Sequence, residues 1–257
     1  MSTLALAARD SSTMIRRQLK RLLRYPSMTI QLVATPVILL LVFVYVFGGT
    51  LGAGLGGGRD TYIDYVVPGI LLMAVATAAT GTAVMVATDM TEGIIARFRT
   101  MRIWRPAVLT GHVVGAVIQQ LLGMAVLIGV ALAMGFGPNA TAIEWLAAAA
   151  LLTLFVVAIT WLSVALGMKA QTPESASNAP MPLILLPFLG SGFVPTDSMP
   201  TALRWFAEYQ PFTPIMETLR GLLLGTPIGN SAATATAWCA AIAALSYLWA
   251  KNTFNKA

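Results

Sequence analysis

The sequence predicts an all-α membrane protein that crosses the bilayer six times, and three observations carry that prediction. The 257-residue chain is 57% hydrophobic and only 10% charged, with a mean hydropathy of +0.78, more apolar surface than a soluble domain of this size can bury. Uncharged runs recur at about 20 residues, the length at which a helix crosses roughly 30 Å of hydrocarbon. The basic residues gather at the ends of these runs. A net charge of +6 therefore points to orientation in a membrane and away from nucleic-acid binding. The whole chain, 1–257, reads as one membrane domain: an N-terminal segment over 1–26 and a six-span core over 27–250.

The N-terminal segment is expected to be retained, because no small-residue cleavage site ends a short apolar run. Stepped at about 100° per residue, Leu4, Ala8, Ser11, Ile15, Leu19 and Leu22 share one face. Arg16, Arg17, Lys20, Arg21 and Arg24, with Arg9, occupy the opposite one. This is the pattern of a basic amphipathic helix lying in the membrane interface. It serves either as a surface anchor or as an elbow that also touches a cytoplasmic partner.

The six spans are predicted at 27–47, 65–88, 107–134, 145–168, 178–194 and 232–249. The fifth is short and contains Pro180, Pro182 and Pro187, so it is expected to be kinked or broken. An even number of spans places both termini on one side. Thirteen of the sixteen basic residues and four of the ten acids fall on that side, a net of +9; the other side holds three and six, a net of −3. The excess of Lys and Arg makes the side of the termini cytoplasmic. No Asp, Glu, Lys or Arg falls inside a predicted span, so the usual signature of an ion-coupled carrier is missing. Cys239 stands alone, which excludes an internal disulfide and a multi-cysteine metal site and leaves a small apolar residue of the last span. The glycine-rich run GAGLGGGRD over 52–60 lacks the lysine and the following helix of a phosphate loop and is expected to be a flexible outer loop.

The inner loop between spans two and three reads DMTEGIIARFRTMRIWRP, with six charges over 89–106. Acids come first and bases last, as the helix dipole favours, and Asp89 with Glu92 three residues on resembles a capping box. A short cytoplasmic helix over about 89–105 is predicted. Its stripe of Ile94, Ile95, Phe98 and Met101, bordered by Arg97, Arg99, Arg102 and Arg105, rests either on lipid headgroups or in a groove of a soluble subunit.

On the outer side, FVPTDSMPTALRWFAEYQPFTPIMETLRGLLLG over 193–225 is too polar to span and too apolar to float. Helices are predicted over 200–209 and 214–224, each opening at proline, the second stopping at Gly225. Together they form either a hairpin re-entering the outer leaflet or a cap lying on its surface.

These features, in this order, resemble the membrane subunits of type-2 ABC exporters, especially the daunorubicin-resistance-type drug permeases. The resemblance rests on the basic amphipathic N-terminus, YVVPG at 65–69, Asp89, Gly93 and Arg97 after span two, the Pro173–Glu174 pair after span four, and FVPTDSMP with QPFTP before span six. It covers nearly the whole chain. It implies that the stretch from Glu92 through Ile94, Ile95, Arg97, Phe98, Arg99, Met101 and Arg102 to Arg105 is a coupling helix seated on a separate ATP-binding subunit, flanked by the N-terminal helix. It implies two six-span permeases, identical or related, over two ATPase subunits that hold ATP and Mg. The outer hairpin, with Phe193, Pro195, Pro200, Pro211, Phe212, Pro214 and Glu217, would close the path. No substrate-binding residue follows from it.

The chain has no Walker A pattern, and the eight residues after Trp249 are too few for an ATPase domain, so ATP hydrolysis is expected on another chain. Neither HExxH nor GxSxG occurs, and His112 reads as an interfacial side chain, which leaves an intramembrane enzyme without support. The function expected is export of a hydrophobic or amphipathic drug, metabolite or lipid. A lipid-linked glycan exporter and an ATP-independent channel or structural subunit stand as alternatives.

Overall fold

A computed structural model describes residues 26–92 and 106–256. The first helix, α1 (Pro26–Leu41), runs on through a π-helical stretch, Val42–Phe47, into α2 (Gly48–Gly54). Then come α3 (Arg59–Thr91), α4 (Pro106–Ala133) and α5 (Ala142–Lys169). Two short helices follow, α6 (Pro173–Asn178) and α7 (Met181–Leu185). Next are a 3-10 turn (Thr196–Ser198), α8 (Thr201–Tyr209), α9 (Phe212–Leu224) and α10 (Ser231–Lys256). The fold is all-helical, with five helices long and apolar enough to cross a membrane among the described residues: Leu32–Gly54, Arg59–Thr91, Val113–Ala133, Ala142–Lys169 and Ser231–Phe254.

These five match predicted spans one to four and six. The remaining predicted span, 178–194, is not one helix: α6 ends at Asn178, α7 covers five residues, and turns follow. The cause is the one expected from its prolines, which lack the N–H that an i−4 carbonyl needs. The backbone closes instead through short-range bonds, Leu183 N–H to the Pro180 carbonyl at 2.9 Å and Phe188 N–H to Leu185 at 3.0 Å.

Two helices form the spine. The apolar stretches of α3 and α5 are 61% and 56% buried inside the protein, against 22%, 28% and 17% for α1, α4 and α10. The last three therefore turn most of their apolar surface outward, as lipid-facing helices do. The spine is close because its contact is nearly bare backbone: a Cβ on Gly167 of α5 would collide with the Ala83 carbonyl of α3. Of the two, α5 starts on a side-chain cap. Thr141 and Glu144 form a capping box at α5, with the Thr141 N–H donating to Glu144 Oε2 at 2.7 Å. At 33 residues, α3 is about 50 Å long and overhangs the hydrocarbon.

Two expectations are corrected. The glycine-rich run is no flexible loop: Gly48–Gly54 is helical, Gly57 N–H bonds back to the Gly52 carbonyl at 3.0 Å, and α3 begins at Arg59. Its glycines tighten a four-residue turn. Asp89 with Glu92 is no capping box either. With nothing to interrupt helical periodicity before Gly93, α3 continues to Thr91, so Asp89 is buried in its last turn and Glu92 follows as the C-terminal cap.

Candidate functional site

Most of the residues expected to close the path assemble at one end of the bundle, where α3 begins. Each segment there has a proline start: Pro195 precedes the 3-10 turn, Pro200 caps α8 and Pro211 caps α9. Proline at a helix start loses nothing, since the first N–H groups have no helical partner. The second helix stops as predicted at Gly225, with φ 74° in the left-handed region.

Inside this end the expected residues are packed rather than lining an open mouth. Phe212 is fully buried and meets Phe155 of α5 edge-on, centroids 5.2 Å apart. Phe193 stacks on Phe188 at 4.4 Å and touches Phe43 of the π-helical stretch at 4.5 Å. Pro214 is buried in the first turn of α9. Glu217 accepts from Ser231 Oγ at 2.9 Å, tying α9 to the start of α10.

The connecting chemistry comes from Arg220 and Tyr62, which the sequence reading did not single out, and from Tyr65 and Gln210, the first residues of YVVPG and QPFTP. The Arg220 guanidinium of α9 lies 3.9 Å over the Tyr65 ring. Its Nη2 donates to the Tyr65 carbonyl of α3 at 3.1 Å and to the Ser191 carbonyl of the broken segment at 2.9 Å. Gln210 Nε2 donates to the Leu186 carbonyl at 3.2 Å and to Thr213 Oγ1 at 3.1 Å. Tyr62 donates its hydroxyl to the Phe193 carbonyl at 3.3 Å. Three side chains thus supply donors to carbonyls of a segment that cannot satisfy its own. The available signals were a lone arginine in LRGLLLG and the tyrosines beside VVPG. Gly69, in that motif, fits because a Cβ there would run into the Gly192 backbone.

On the surface of the same end, α8 exposes Trp205 and Tyr209 side by side, centroids 5.4 Å apart. Arg204 bridges Asp197 and Glu208, each at 2.7 Å, and this pairing holds its guanidinium above the usual arginine range.

The opposite end carries Glu92, exposed after α3. Beside it packs α6, whose Ala176 is buried with Ala83 and Ala87 of α3, so the Pro173–Glu174 pair sits near the same end of the spine. The Glu174 carboxylate is held below the usual range by its own backbone N–H and then by Thr172. Of the residues expected to form the coupling contact, Ile94, Ile95, Arg97, Phe98, Arg99, Met101, Arg102 and Arg105 lie outside the described residues. So do Arg16, Arg17, Lys20, Arg21 and Arg24 of the N-terminal helix.

Residues 10–224 match the model of a family described as ABC-2 type transporter. The chain is 29% identical over 224 residues to the daunorubicin resistance ABC transporter permease protein DrrB1 of Streptomyces coeruleorubidus, covering 86% of this chain and 77% of that protein. It is 25% identical over 187 residues to the probable doxorubicin resistance ABC transporter permease protein DrrC of Mycobacterium tuberculosis, 72% of this chain and 67% of that one. Nodulation protein J of Rhizobium leguminosarum bv. viciae is 28% identical over 201 residues, 73% of each chain.

Proposed function

Since the chain belongs to the ABC-2 type transporter family and is a multi-pass membrane protein, we propose that it is the permease subunit of an ATP-driven exporter of hydrophobic or amphipathic compounds. The observation that carries this reading is the similarity, over most of the chain, to two relatives named as drug-resistance permeases. Two copies of a separate ATP-binding subunit, holding ATP and Mg, supply the energy, and a second permease, identical or related, completes the path. The protein sits in the cytoplasmic membrane with both termini inside. Segment 178–194 is the sixth crossing, made as a broken helix, and α8 with α9 is the hairpin that re-enters the outer leaflet.

In this reading the stretch from Glu92 to Arg105 enters a cleft of the ATPase, with Phe98 and Met101 as apolar anchors among arginines, and the N-terminal helix flanks it. Two features support the placement. The stretch continues directly from α3, the most buried of the five long helices, and α6 with Glu174 packs against the same end. Closure of the ATPase pair on ATP would move α3 as a rod and reach the Tyr65 end, where Arg220 links α3 to the broken segment and α9.

The test is Phe98→Asp in the intact complex. A carboxylate in place of a buried anchor is expected to lower transport at least roughly tenfold, the scale of a lost hot spot, at unchanged membrane insertion. Normal transport at normal expression would refute the coupling assignment.

A further inference from the structure

Midway along the bundle, α1, α3 and α4 enclose a small cavity of about 20 Å³, room for one water-sized group. Val33 and Pro36 of α1, Val75 of α3 and Met124 of α4 make its wall apolar, and Gln120 of α4 is the single polar side chain among them. Gln120 is 5% exposed. Its Nε2 donates to Thr160 Oγ1 of α5 at 3.3 Å, while its Oε1 is buried without a partner among the described residues.

Gln120 Oε1 is thus an acceptor beside an apolar space, at a depth where bilayer water cannot satisfy it. No acid lines the cavity, so a cation would enter without a counter-charge, at high desolvation cost. A neutral donor fits.

We propose that this cavity is a subsite for the hydroxyl group of an amphipathic molecule, which donates to Gln120 Oε1. The cavity admits the hydroxyl and not the whole molecule; the apolar body extends past partly exposed Val33 and Gly123, where α1 and α4 meet. This deepens the exporter reading, on which it rests, by assigning a chemical feature to the cargo: a hydroxyl on an apolar body.

The test uses the purified full-length chain in phosphatidylcholine nanodiscs, photolabelled with a diazirine-bearing long-chain alcohol or its methyl ether and mapped by peptide mass spectrometry. The alcohol is expected to label peptides containing Val33 and Met124, and the ether roughly fivefold less, the scale of one lost hydrogen bond. Gln120→Leu should bring alcohol labelling down to the level of the ether. Gly123→Ala keeps the Gln120–Thr160 pair and adds a methyl 3.4 Å from Val33 Cγ2; it should lower alcohol labelling by narrowing the space. Equal labelling by alcohol and ether means a water only and overturns the proposal, as does undiminished labelling of Gln120→Leu. No ATPase and no transport enter this assay, so its failure removes the subsite and leaves the permease reading untouched, while loss of the ATPase partner would leave the labelling unchanged.

Discussion

The spine and the Arg220 end solve the same problem, backbone polarity in an apolar medium, by opposite means. In α5 the interior carbonyls are met within their own helix, and in α3 all but the one that Pro68 leaves without its donor; the two can approach until Gly167 touches the Ala83 backbone, and small residues let them pack closely. In the segment between α6 and α8, prolines break the helix and donors must come from elsewhere: Arg220, Gln210 and Tyr62 reach in from α9, its preceding turn and α3. The difference teaches that a broken helix in an apolar setting is tolerated only where long-range side chains replace the missing N–H groups. Such a region is held by a few bonds, each able to break, whereas the spine is held by packing along two long helices.

The comparison can be broken at graded cost. Arg220→Ala removes two charge-assisted bonds to carbonyls and the contact over Tyr65, and should destabilise by about 3 kcal/mol, read as a lower Tm in nanodiscs. Arg220→Lys, with a single point of donation, should recover only part of it. Gly69→Ala forces a methyl against Gly192 and is expected to cost about 2 kcal/mol by overpacking, with protease sensitivity rising first in the broken segment. Tyr62→Phe deletes one donor to the Phe193 carbonyl and should lower stability by about 1 kcal/mol. Arg204→Ala breaks only exposed ion pairs and should leave Tm unchanged. If Arg204→Ala matched Arg220→Ala, the distinction between a surface pair and a backbone-satisfying bond would fail.

Much of this architecture was legible in the chain. Five long helices follow from uncharged apolar runs, and the bounds of α8 and the end of α9 from Pro200 and Gly225, because each signal acts over a few residues; α9 begins at Phe212 on the Pro211 cap, two residues before the Pro214 start expected. The break at 178–194 was legible from its prolines for the same reason. What escaped depends on distance in sequence: Arg220 meets Tyr65 across 155 positions and Gln120 meets Thr160 across 40, and no local pattern specifies such partners. A lone arginine among leucines, the tyrosines beside VVPG and a glutamine pair inside an uncharged span were the traces they left. Asp89 and Glu92 misled because an acid followed by bases describes a helix start and an uninterrupted helix equally well, and burial of Asp89 at the end of α3 is a tertiary fact.

The central claim is that this chain works as a permease driven by a separate ATPase, and recovering the assembly tests it most directly. The tagged chain, purified from its native membrane in mild detergent, would be subjected to native mass determination. The account predicts two permease chains with two ATP-binding subunits. Reproducible recovery of the chain without an ATPase, under conditions that keep a known exporter of the same membrane whole, would contradict it.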